Sequence, residues 1–131
     1  MSEEFQRDAT RFTVAHLPEL QFRIGGISMA NSLVSISTGG CGVYCAARDP
    51  RLEPSEDPNL KRRVNLEFEW EGITSSPIAI VGLILYRKEV ILNDEKIQYY
   101  GLQFIPTDQP KLQPIIDELQ SRVEKGEAKT H

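Results

Sequence analysis

The chain has 131 residues, 40% hydrophobic and 26% charged, the mix of one globular domain large enough to bury a core without disulfides or metals. Fifteen Lys and Arg against nineteen Asp and Glu leave a formal net charge of −4, which disfavours roles on polymeric nucleic acid or anionic membrane, both of which need excess cations. The longest apolar run, residues 77–86, is about half a membrane span, so no membrane insertion is expected.

Residues 1–10 read as a flexible tail carrying Glu3, Glu4, Arg7 and Asp8. The tail has no apolar centre, so it is neither a signal nor a transit peptide, and the cytoplasm is the expected location. A single domain is expected over residues 11–124. Residues 20–24 form a short strand ended by Gly25-Gly26. Residues 28–37 form a second, and residues 40–46 a third after the Gly39-Gly40 turn. Residues 48–60 hold Pro50, Pro54 and Pro58 among charges and read as a loop. In residues 63–70, Val64, Leu66, Phe68 and Trp70 alternate with Arg63, Asn65, Glu67 and Glu69, a strand with one wet face. Glu71-Gly72 turns the chain. Residues 78–92 form a fifth strand with a charged bend at Arg87-Lys88-Glu89. Asn93-Asp94 begins a hairpin turn, and residues 97–105 form a sixth strand. From Leu112 the period changes: Leu112, Ile115, Ile116, Leu119 and Val123 make the stripe of an amphipathic helix. Thr107 or Asp108 is its expected cap and Gly126 its stop. Residues 125–131 read as a loose tail. Six antiparallel strands and one helix make a small closed barrel with the helix docked on it.

Few residues suit catalysis or metal binding. Cys41 and Cys45 are four apart on one strand, about 13 Å, too far for a disulfide or one shared metal. With only His16 and His131 beside them no zinc site is expected, and both thiols read as packing residues. Glu67 and Glu69 lie about 7 Å apart on one strand face, near glycosidase spacing, but their alternation is that of a solvent face. No G-x-S-x-G occurs. The chain is not expected to be an enzyme, and no cofactor is expected.

Two other segments suit ligand binding. Ser35-Ile36-Ser37-Thr38-Gly39-Gly40-Cys41-Gly42 packs hydroxyls and glycines between strands, where positive φ, close approach and an anion nest are available. Arg7 and Arg11 stand at R-x-x-x-R spacing just before the barrel. Arginine can donate twice to the O6/N7 edge of guanine, stack on a base and pair with phosphate.

Together, R-x-x-x-R followed about 25 residues later by [D/N]-x-S-x-x-G resembles the signature of the PilZ domain family, bacterial receptors for cyclic di-GMP. Arg7 and Arg11 fit the first motif; Ser37 and Gly40 fit the second. Ser35 stands where the motif has Asp or Asn. The resemblance continues through Cys41-Gly42-Val43-Tyr44, the alternating strand at 64–70 and Tyr100-Gly101-Leu102-Gln103-Phe104, and covers roughly residues 7–122. It implies a six-stranded antiparallel barrel of split-barrel type with a C-terminal helix. It also implies cyclic di-GMP as ligand, held by Arg7, Arg11, Ser35, Ser37, Gly39 and Gly40. The implied output is a change of surface read by a separate effector protein controlling motility, attachment or exopolysaccharide. Replacing the motif carboxylate or amide by Ser35 is expected to cost about 1 kcal/mol, or about five- to tenfold in affinity. The alternative within this resemblance is an interaction module of pilus or secretion assembly that binds no nucleotide. An RNA-binding barrel is disfavoured by the acidic charge.

Overall fold

The computed structural model describes residues 10–15, 17–29, 32–57 and 59–130. Arg7, His16 and His131 lie outside the described residues, as does most of the expected N-terminal tail. Among the described residues nine strands are formed: β1 (Phe12–Thr13), β2 (Leu20–Ile24), β3 (Ile27–Ser28), β4 (Leu33–Ile36), β5 (Gly40–Cys45), β6 (Arg63–Trp70), β7 (Ile78–Leu92), β8 (Glu95–Phe104) and β9 (Lys129–Thr130). Among the same residues one α-helix, α1 (Gln113–Glu124), follows β8. All strands join one antiparallel sheet in the order β3-β2-β6-β7-β8-β5-β4-β1-β9.

The expectation of six strands in a closed barrel is therefore corrected. The sheet is a curled half-barrel with edges at β3 and β9. The segment expected as one strand over 28–37 divides into the end of β3 and the separate β4. The extra strands β1, β3 and β9 have two residues each, too few to show a period. Residues 125–131, expected as a loose tail, carry β9, which pairs with β1 at Phe12↔Thr130 and Thr13↔Lys129. The expected bend at Arg87-Lys88-Glu89 is absent: β7 runs unbroken through it, and the irregularity falls earlier, between Ile84 and Tyr86.

Alternation builds the core. Register rows carry Phe12, Ile36, Cys41, Leu102 and Ile84 side by side on the concave face, all nearly inaccessible. Phe68 stands between Phe22 and Phe104, with ring centroids 5.1 and 5.8 Å away. Leu112, Ile115 and Leu119 of the helical segment are fully buried in the same core. In the 48–60 loop a short 3-10 turn over Pro50–Leu52 drops Leu52 into the core. The Arg122 guanidinium lies 4.7 Å from the Trp70 ring centroid and pairs with Glu118 and Glu19.

The turns follow local chemistry. Gly25-Gly26 and Asn93-Asp94 take positive φ at both central positions, as two-residue hairpins of right-twisted strands require. The helix ends in a Schellman motif. Gly126, at φ 76°, donates to the Val123 carbonyl, and Glu127 donates to that of Arg122. The expected helix cap is not made. Asp108 instead accepts the Val81 amide hydrogen at 2.8 Å and pairs with Lys111 at 3.0 Å, tying the start of the helical segment to β7.

Candidate functional site

Two β-bulges decide which side chains meet. In β4 the register passes from Leu33↔Val43 to Ser35↔Gly42. The extra residue turns Ser35 to the convex face. In β7 the register passes from Ile84↔Leu102 to Tyr86↔Gly101, turning Tyr86 to that face as well. One cross-strand row then reads Thr13, Ser35, Gly42, Gly101, Tyr86.

The two glycines of that row form a trough. A Cβ on Gly42 would lie 2.2 Å from the Tyr99 hydroxyl, and one on Gly101 would lie 2.5 Å from the Tyr86 ring. The two phenol rings occupy the space that side chains would fill. Tyr44 meets Tyr99 edge-on at 5.3 Å, Tyr86 lies 6.1 Å from Tyr99, and the Lys88 ammonium stands 5.3 Å from the Tyr99 centroid. Arg11 enters from the residue before β1 and donates from Nη1 to Ser35 Oγ at 3.2 Å. Burial pushes the Tyr99 phenol above its ordinary pKa and Tyr86 adds to this, whereas Arg11 and the Ser35 hydroxyl pull it down. The Tyr99 hydroxyl stands over Gly42, the register partner of Ser35.

Of the residues singled out in the sequence, Arg11 and Ser35 are brought into direct contact, and Arg7 lies outside the described residues. Ser35 and Ser37 are both buried, with 0% and 3% exposure. Ser37 closes the β4–β5 turn: its amide donates to the Gly40 carbonyl at 2.8 Å. Neither Gly39 nor Gly40 takes positive φ, so the expected anion nest of a left-handed turn is not formed here. Gly40 is required for close approach instead, because a Cβ there would stand 2.2 Å from the Leu102 carbonyl oxygen. Gly39 has open space around it and accepts the Phe104 amide hydrogen at 2.8 Å.

Tyr44, Tyr86, Lys88 and Tyr99 were missed in the sequence. The available signal was Gly42 and Gly101, each inside a strand, since an interior strand glycine marks a close approach.

The carboxylates considered for catalysis are engaged elsewhere. Glu67 and Glu69 both hold Arg23, the second at 2.8 Å. Arg87 is held by Gln98 at 2.6 Å and Glu53 at 3.5 Å. Among the described residues no cluster of His, Cys, Asp and Glu has the arrangement of a metal site, and no helix is long and apolar enough to cross a membrane.

Neither a family model nor a curated protein sequence matches the chain. Solved structures do. The K. pneumonia MrkH–c-di-GMP complex is 17% identical with a TM-score of 0.67, over 92% of this chain and 55% of that one. The PilZ domain of YcgR from Escherichia coli, with c-di-GMP, is 17% identical with a TM-score of 0.60, over 92% of this chain and 96% of that one. MrkH in its apo state is 17% identical with a TM-score of 0.61, over 88% of this chain and 50% of that one. The chain spans about half the length of MrkH and nearly all of the YcgR domain. With its curled antiparallel sheet and C-terminal helix, the chain has the fold of a PilZ domain.

Proposed function

We propose that the protein is a receptor for cyclic di-GMP that performs no chemistry of its own. The observation that carries this reading is the contact between the Arg11 guanidinium and the Ser35 hydroxyl on the convex face of a PilZ fold. Two neighbours of that fold were solved with the same dinucleotide. The ligand has two guanines and two phosphates, and a guanidinium can serve either, as a bidentate donor to a guanine edge or as a partner of phosphate. Arg7 joins Arg11 in this grip, and Ser35, Ser37, Gly39 and Gly40 shape the sheet beneath it. The segment before β1 closes over the ligand, and a separate effector reads the altered surface. Motility, attachment or exopolysaccharide control is the proposed output, with the cytoplasm as location.

Isothermal titration with cyclic di-GMP, beside Arg11→Ala, tests this. Micromolar or tighter binding that the variant loses is expected, and the stoichiometry distinguishes one ligand from a stacked pair. No saturable binding by the wild type overturns the reading. A second reading, an interaction module that binds no nucleotide, is favoured by one observation: Ile91 and Leu92, at the tip of the β7–β8 hairpin, are 69% and 40% exposed. Wild type that ignores the dinucleotide yet binds a protein through that tip would establish it.

A further inference from the structure

Ser35 is fully buried, so a ligand arriving on the convex face does not meet it first. It meets what lies over and around it: Arg11, Tyr99, Tyr86, Tyr44 and Lys88. We propose that the tyrosine surface seated over Gly42 and Gly101 is the platform on which the nucleotide's bases stack, with Lys88 as a second cation for its phosphates and the Tyr99 hydroxyl as the group that positions a base edge. This rests on the cyclic di-GMP reading and assigns the residues that carry it.

The geometry supports each role. Glycines opposite one another on β5 and β8 let two phenol rings settle where Cβ atoms would stand, so the rings are held by backbone and lose little freedom when a base covers them. Aromatic faces accept any base, and each stacked base contributes about 1–3 kcal/mol by alanine substitution. Tyr86 is the most open of the rings, at 44% exposure. Lys88 pairs in register with Tyr99 across the β7–β8 ladder, and its ammonium already stands 5.3 Å from that ring. Arg11 bonds Ser35 on β4, and the sheet order β7-β8-β5-β4 sets β8, with Tyr99, between that bond and Lys88 on β7. Two cations therefore flank an aromatic surface, which suits a planar base carrying phosphate.

Titration of cyclic di-GMP into wild type, Tyr86→Ala, Tyr86→Leu, Tyr99→Phe and Lys88→Gln tests the proposal, with the thermal midpoint of each ligand-free variant measured alongside. Tyr86→Ala is expected to raise Kd by about 5- to 150-fold. Tyr86→Leu, which keeps bulk over Gly101 but has no π-face, is expected to raise it nearly as far. Tyr99→Phe keeps the ring and loses only the hydroxyl, for about five- to tenfold. Lys88→Gln is expected to weaken binding less as salt rises. Ligand-free midpoints near that of wild type exclude a structural cause. If wild type binds and Arg11→Ala does not, while both Tyr86 variants and Tyr99→Phe bind like wild type, the platform is refuted and the receptor reading stands. If wild type itself does not bind, both fall.

Discussion

Replacing Gly40 by Ala tests where the second motif acts. The added Cβ would stand 2.2 Å from the Leu102 carbonyl oxygen, 3.3 Å from the Leu102 carbonyl carbon and 3.4 Å from Gln103 Cα. A carbon and a carbonyl oxygen rest about 3.3 Å apart even in close strand contacts, so β5 and β8 must part by about 1 Å at Gly40↔Gln103. Every atom in the way is backbone, so no rotamer relieves the clash. Parting the strands puts at risk the bond from the Phe104 amide to the Gly39 carbonyl and that from Ser37 to Gly40, both 2.8 Å, each contributing about 1 kcal/mol. With overpacking of about 1–3 kcal/mol, the expected loss is about 2–4 kcal/mol. For 131 residues that lowers the thermal midpoint by roughly 7–15 °C. Gly39→Ala is the control. Its Cβ meets nothing within 4 Å and its φ is not positive, so it is expected to be neutral or to stabilise by up to about 1 kcal/mol. Thermal unfolding by circular dichroism reads both. A Gly40→Ala midpoint within about 2 °C of wild type would refute the close-approach argument, and an equal fall for Gly39→Ala would show that the turn itself needs glycine.

Two further outcomes follow from burial and charge. Asp108 is held below the ordinary aspartate pKa, first by the Val81 amide and then by Lys111. Its contribution is present above the unfolded value of about 4 and is lost as pH falls through the lower folded value. Asp108→Asn is thus expected to be about 1 kcal/mol less stable at pH 7, the gap closing below about pH 4, as urea titrations across that range would read; a gap independent of pH would refute the assignment. Burial pushes the Cys41 thiol up to about 12, and the half-buried Cys45 is raised by the same cause. A chromogenic disulfide reagent at pH 8 is expected to modify Cys45 slowly and Cys41 only once denaturant unfolds the chain; rapid reaction of both in the native protein would contradict this burial.

The strands that carry the core were legible in the sequence because they are long enough to show a period. Val64, Leu66, Phe68 and Trp70 alternate and are buried; Leu112, Ile115 and Leu119 follow helical spacing and are buried too. Hairpin chemistry at Asn93-Asp94 and the stop at Gly126 were equally local, since both depend on which residues tolerate positive φ. The proximity of Arg11 to the Ser35 strand was implied by motif spacing alone. Other features were tertiary. Strands of two residues have no period, so β1, β3 and β9 exist only because a neighbour offers an edge. Plain alternation would send Tyr86 and Ser35 to the core side. A bulge at each place turns them outward, and bulges are chosen by the pairing of whole strands. A β-rich domain, its core and the arginine and serine segments could thus be read from residue order. The placing of Gly42 and Gly101 opposite one another beneath two tyrosine rings could not, because it depends on register between strands nearly sixty residues apart.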